Sequence, residues 1–200
     1  FPMLGAWGGQ QRPRCEREPA AWVRELYFGS LAIRQIDKAR WTNIPYQYEA
    51  APYGAGMCVR RGVLERWAAE VARSDLRRSL DRTGVGLGSC GDTDMAFTSF
   101  DVGMGVGVFP ELRLTHIMPA FRFEEPYLLK LTEGFAYSEV VLRYCRDGVV
   151  REDRLTAPGR VLRALRRLRL SPHHRRKQSA LQRGHRRAVV QIQAMGRRGA

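Results

Sequence analysis

Gly91-Asp92-Thr93-Asp94-Met95-Ala96-Phe97 is the stretch on which the reading of this 200-residue chain turns. A glycine-rich loop, Gly84 to Gly91, delivers the chain into two carboxylates two positions apart, and an apolar run follows. That order predicts a helix that opens at the acidic pair and ends near Gly103, because Asp satisfies free backbone N–H groups and complements the dipole at a helix start. Asp92-Thr93-Asp94 also has the D-x-D spacing with which carboxylates hold a divalent cation against a diphosphate. Both readings place a rigid carboxylate at the mouth of a helix.

Working outward, Val63, Leu64, Trp67 and Val71 recur with helical spacing after Val59, and a second amphipathic helix is expected from about Glu124 to Cys145. Trp22, Leu26 and Leu31 suggest a shorter helix starting near Pro19. Strand character is expected in Phe1–Gln11, in Trp41–Glu49, and in two short pieces at Val106–Phe109 and Arg113–Ile117. Pro52-Tyr53-Gly54-Ala55-Gly56 is a turn-forming loop that lets another group approach the backbone. Alternating strands and helices make the class α/β. Gly86-Leu87-Gly88-Ser89-Cys90-Gly91 fits G-x-G-x-x-G, yet no apolar strand leads into it, so it reads as a loop and not as a dinucleotide site.

Charge divides the chain. Residues 1–150 hold 19 Lys or Arg against 18 Asp or Glu, whereas residues 151–200 hold 15 against 2. The basic excess therefore belongs to a tail and says nothing about the body. Cys15, Cys58, Cys90 and Cys145 are dispersed without a C-x-x-C pair, which suits reduced thiols in a cytoplasmic protein. No run of about 18 apolar residues offers a membrane span.

Taken in order, Leu4-Gly5-Ala6-Trp7-Gly8-Gly9, Pro52 to Met57, Ser89 to Phe97, Leu114 to Arg122 and Tyr127-Leu128-Leu129-Lys130-Leu131 resemble the C-terminal portion of a family 2 glycosyltransferase of GT-A fold. The resemblance covers roughly residues 1–147. It implies the acceptor-side half of a GT-A (Rossmann-like) domain, with the N-terminal nucleotide-binding half lying outside these residues. It further implies inverting transfer of a sugar from a nucleotide-sugar donor to a saccharide or lipid-linked glycan hydroxyl, with no turnover by this portion alone. Asp92 takes the position of the general base, although Gly91 stands where Glu is common. Gly54, Ala55 and Gly56 would floor the donor sugar or acceptor, Asp94 would bind substrate with them, supporting the site or capping its helix, and Arg122 would face the diphosphate. His116 matches a position that completes the metal shell in some relatives. A divalent metal, Mn or Mg, would be bound mainly through the other half.

Beyond the body, residues 148–170 are expected as a basic amphipathic helix, in which Arg160, Arg163, Arg166, Arg167 and Arg169 interleave with Val161, Leu162, Leu165 and Leu168. Such a segment suits an anionic membrane surface and a peripheral place at its inner face. Nucleic acid ranks below the membrane, since the tail has no domain-level motif and no aromatic stacking partner. Residues 171–200 are expected to be disordered. Three rival readings stand beside the transferase: a non-catalytic basic module on anionic surfaces, a truncated-gene relic, and a metal hydrolase placing Asp92, Asp94 and His116 on one ion.

Overall fold

The computed structural model describes residues 1–82, 87–150, 167 and 169–196. Its centre is the pairing of two long strands, β1 (Leu4–Cys15) and β4 (Gly105–Met118), which run parallel. Short antiparallel strands flank them, β2 (Arg40–Thr42) beside β4 and β3 (Cys58–Val59) beside β1, giving the order β2-β4-β1-β3. Parallel neighbours need a long crossover, and here it carries helices α1 (Ala21–Tyr27), α2 (Arg61–Ala72), α3 (Asp75–Arg78) and α4 (Gly91–Asp101). Helices α5 (Glu125–Asp147) and α6 (Pro172–Gly196) follow the sheet. The chain is mixed α/β, as expected.

The first half of β1 is buried nearly without interruption, which is the mark of a strand covered on both faces. Ala6 and Val106 of the two long strands meet Ala96 of α4 in one core cluster. Val23, Tyr27, Met118, Phe123, Leu128 and Leu131 gather α1, the end of β4 and α5 in a second. Each large side chain buried this fully contributes roughly 1.5–3 kcal/mol relative to exposure.

Four expectations need correction. The strands foreseen at Val106–Phe109 and Arg113–Ile117 are one strand, β4, interrupted by a bulge: Gly8 pairs with Val108, but Gln10 pairs with Arg113. Pro110, which donates nothing to a ladder, sits in that bulge, where its carbonyl accepts from Gln10 Nε2 at 2.6 Å. Trp41–Glu49 yields only the three residues of β2 before the chain turns, with Tyr46 in the left-handed region at φ 67°. Leu64 lies outside the packed face of α2, 43% exposed, whereas Val63 is buried.

The fourth correction concerns the tail. Residues 172–196 form the 25-residue helix α6, which packs along α5. Ala180, Gly184, Ala188 and Ile192 recur every fourth residue and share the buried face. A Cβ at Gly184 would stand 2.1 Å from the Glu133 carbonyl oxygen, so the helices touch there because that residue has no side chain. Glu125 of α5 pairs with His173 and Arg176, Glu133 with Arg183 and Arg187, and Tyr137 Oη donates to Gln191. These contacts ascend both sequences together, so α6 runs parallel to α5. Most of the expected helix at 148–170 lies outside the described residues.

Candidate functional site

The separately expected landmarks Asp92 and Gly54 meet. Helix α4 starts from Cys90, a buried non-glycine residue at φ 89° whose side chain caps nothing. Holding Cys90 there costs about 1–2 kcal/mol, and it aims the first turn at the Pro52–Gly56 loop. Asp92 Oδ1 accepts from Thr93 N at 2.8 Å, and Oδ2 accepts from Gly54 N at 2.8 Å across 38 residues. A Cβ at Gly54 would lie 2.8 Å from Asp92 Oδ2 and 2.9 Å from Asp92 Cβ. Glycine is needed at position 54 because the carboxylate occupies that space. Asp92 itself is only half-buried, and each of its oxygens retains accepting capacity.

Two residues that motif reading passes over hold the loop from behind. Gln11 of β1, 1% exposed, donates from Nε2 to the Ala55 carbonyl at 3.0 Å and to Gly9 O at 2.9 Å. Arg34 donates to the carbonyls of Ala51 at 2.9 Å and Tyr48 at 3.4 Å, and its guanidinium lies 4.2 Å from the Tyr53 ring centre. Burial pulls the Arg34 pKa below its ordinary value, and Tyr53 pulls it back. Gly56, at φ 80°, rests beside the Leu114 side chain. Loop residues 51–56 thus sit between α4 and β4, with backbone groups fixed by side chains from three other elements.

Asp94 is placed differently from expectation. It is 1% exposed and turned into the protein, with Arg146 Nη1 at 3.5 Å and Arg77 Nη1 at 3.6 Å. Burial raises its pKa, while Arg77, Arg146 and the Trp67 indole pull the other way. Arg146 also donates to Asp101 at 2.7 Å and to the Phe97 carbonyl at 3.1 Å. Asp94 therefore offers no atom to a substrate. It pins α4 to α5 through a buried ion cluster, and that is its correction.

His116 and Arg122 lie further along β4 and beyond it. His116 Nδ1 is 3.3 Å from the Ala32 carbonyl, the arrangement that leaves Nε2 free to ligate when Nδ1 carries the proton. Arg122 Nη1 lies 3.8 Å from Met118 Sδ and its guanidinium 5.9 Å from the Tyr127 ring, while its buried Nε has no hydrogen-bond partner. Neither residue hydrogen-bonds to Asp92 or to the Gly54–Gly56 backbone among the described residues. No three His, Cys, Asp or Glu side chains gather as a metal ligand set among those residues. The hydrolase reading, with Asp92, Asp94 and His116 on one ion, fails on this geometry because Asp94 is committed to Arg77 and Arg146.

Other groups near α4 are structural. Burial pushes the Cys90 thiol well above its ordinary range, with Glu139, Asp92 and Asp94 adding to it, so it does not serve as a nucleophile. Cys145 is pushed to about 11, mainly by burial. A cavity of about 830 Å³ opens between α5 and α6, lined by Phe135, Glu139, Val140, Leu181 and Val189 among others, and Asp92 is not part of it. No helix among the described residues is long and apolar enough to cross a membrane. The chain matches no known protein family, no curated protein and no solved structure.

Proposed function

We propose that this chain is the acceptor-side portion of an inverting glycosyltransferase in which Asp92 is the general base. The observation that carries the reading is the bond from Gly54 N to Asp92 Oδ2, which joins two of the five landmarks on which the family resemblance rests. In this reading the acceptor hydroxyl approaches Asp92 over the Gly54-Ala55-Gly56 backbone. Its oxygen attacks the anomeric carbon of the donor sugar, the bond from that carbon to the diphosphate oxygen breaks, and the carboxylate takes the hydroxyl proton. The anomeric configuration inverts, and the electron pair leaves with the nucleoside diphosphate. Arg122 keeps the role of facing that leaving group, its buried Nε having no internal partner to satisfy it. Gln11 and Arg34 position the loop and touch no reacting atom. The described residues do not make up a metal ligand set, and no step is assigned to an ion; His116 remains a candidate for contributing one ligand to a site completed elsewhere.

Asp92→Asn tests this reading in the product of the reading frame extended upstream of Phe1. Asparagine preserves an oxygen that accepts from Gly54 N but cannot take a proton. Release of nucleoside diphosphate from a panel of nucleotide-sugars is expected to fall about 100-fold to 10,000-fold, the range for loss of a general base. An extended protein that turns over equally well with Asn at position 92 overturns the proposal.

A further inference from the structure

Helix α6 carries more arginine than its ion pairs with α5 account for, and glycosyl transfer uses none of it. Arg175, Ser179 and Arg183 are spaced four residues apart and lie along one face of the helix, with Arg176 adjoining. Together with Arg167, Pro172 and Leu129 of α5 they line a cavity of about 400 Å³. Four guanidinium groups thus surround one concave space. Two of them are held in place by α5: Arg176 Nη1 contacts Glu125 Oε2 at 2.5 Å, and Arg183 Nε contacts Glu133 Oε2 at 2.9 Å. A third, Arg167, donates from Nη2 to Ser179 Oγ at 2.7 Å. Arg175 is exposed and has no acidic partner among the described residues. Glu133 is shared with a further cation, Arg187, and Arg167 and Arg175 have no acidic partner among the described residues, so the two carboxylates do not neutralise the cavity.

Like charges that line one cavity repel one another, and an oxyanion between them relieves the repulsion. The planar fork of arginine matches phosphate geometry in particular, and the cavity lies along the first turns of α6, where the helix dipole adds positive potential. We propose that Arg167, Arg175, Arg176 and Arg183 form a binding site for a phosphate group bearing two negative charges, either on a lipid headgroup or as a soluble phosphate. The site is distinct from Asp92 and independent of glycosyl transfer. It also differs from a general attraction of the basic tail for polyanions, because it is confined to one face of α6 and two of its members are preset by carboxylates.

The test compares the full chain with Arg175→Gln and with Arg186→Gln. Each variant removes one exposed arginine from α6, but only the first touches the cavity. Vesicles of phosphatidylcholine with and without phosphatidic acid form one arm, read by co-sedimentation. Inorganic pyrophosphate forms the other, read by calorimetry and by the rise in Tm. Binding in either arm that Arg175→Gln weakens about tenfold to a hundredfold, the worth of a charge-assisted hydrogen bond, and that Arg186→Gln leaves within about twofold, supports the site. Retention by acidic vesicles alone identifies a lipid source, and a response to pyrophosphate identifies a soluble one. Equal weakening by both variants, tighter binding of a single-stranded oligonucleotide than of either phosphate probe, or no binding in either arm overturns it.

Discussion

Arg146→Met is expected to destabilise the chain by about 3–5 kcal/mol, the cost of breaking a buried charge pair by removing one partner. The value follows from what Arg146 touches. Its side chain is 7% exposed and serves Asp94 at 3.5 Å, Asp101 at 2.7 Å and the Phe97 carbonyl at 3.1 Å. Without it, Asp94 keeps the Trp67 indole and, as its one cation, Arg77 at 3.6 Å, too long for a good hydrogen bond, in a setting that already penalises the carboxylate by burial. The lower end of the range is expected, because Asp101 is 37% exposed and water can take over there. Urea unfolding followed by tryptophan fluorescence measures the loss. In a thermal scan it corresponds to a drop of about 6–20 °C for a chain of this size. Adding Asp94→Asn to Arg146→Met removes the stranded charge, so the double variant should cost less than the two single costs added together. A single-variant loss below about 1 kcal/mol, or costs that simply add, would refute the claim that this cluster pins α4 to α5.

Two further outcomes follow from the same helix. Gly54→Ala places a methyl group against the Asp92 carboxylate, so turnover by the extended protein should fall at least about tenfold while stability changes by no more than about 1 kcal/mol, the net worth of the one hydrogen bond lost; unchanged turnover would separate the loop from the chemistry. Burial raises the Asp94 pKa above its ordinary 3.8, so between those two values the folded chain binds a proton that the unfolded chain releases, and this group's contribution falls as pH rises through the window. Relative to Asp94→Asn, the wild-type chain should therefore gain stability as pH is lowered toward the ordinary 3.8 of an aspartate, as read from urea midpoints; a gain in the opposite direction would mean the arginines outweigh burial.

Periodicity exposed α2, α4 and α5 because each turns large apolar residues toward a core, and strands enter α/β proteins as compact apolar runs. The bulge in β4 was hidden because Pro110 and Glu111 look like a turn from sequence; only the neighbouring strand, which pairs with β4 on both sides of the interruption, makes one strand of the two pieces. Helix α6 was hidden for a different reason. Its buried face is built from Ala180, Gly184 and Ala188, which carry little hydrophobic signal, and its arginines read as a solvated tail until Glu125 and Glu133 of α5 are seen beside them. At the candidate site, Asp92 and the Gly54–Gly56 loop were legible because an acidic helix start and a glycine pair have local signatures. Gln11 and Arg34 were not, since their partners lie 44 and 17 residues away and only the fold supplies them. The opposite fates of Asp92 and Asp94, two residues apart on one helix, depend on which face α5 covers.

The four-residue rhythm of Ala180, Gly184 and Ala188 has a mechanical consequence. A slide of α6 by one step along α5, about 6 Å at 1.5 Å per residue, would bring Ala180 or Ala188 to the place of Gly184, where a Cβ meets the Glu133 carbonyl oxygen. The Glu133 carboxylate would not resist such a slide, because Arg183 and Arg187 are themselves four apart and one would replace the other. Fixing falls to Gly184 and to the two ends. Moved one step, Ala180 would replace Arg176 opposite Glu125, and Met195 would replace Gln191 opposite Tyr137 Oη. The register of this helix is therefore keyed by one missing side chain in the middle of the seam and by a handful of polar atoms at its ends.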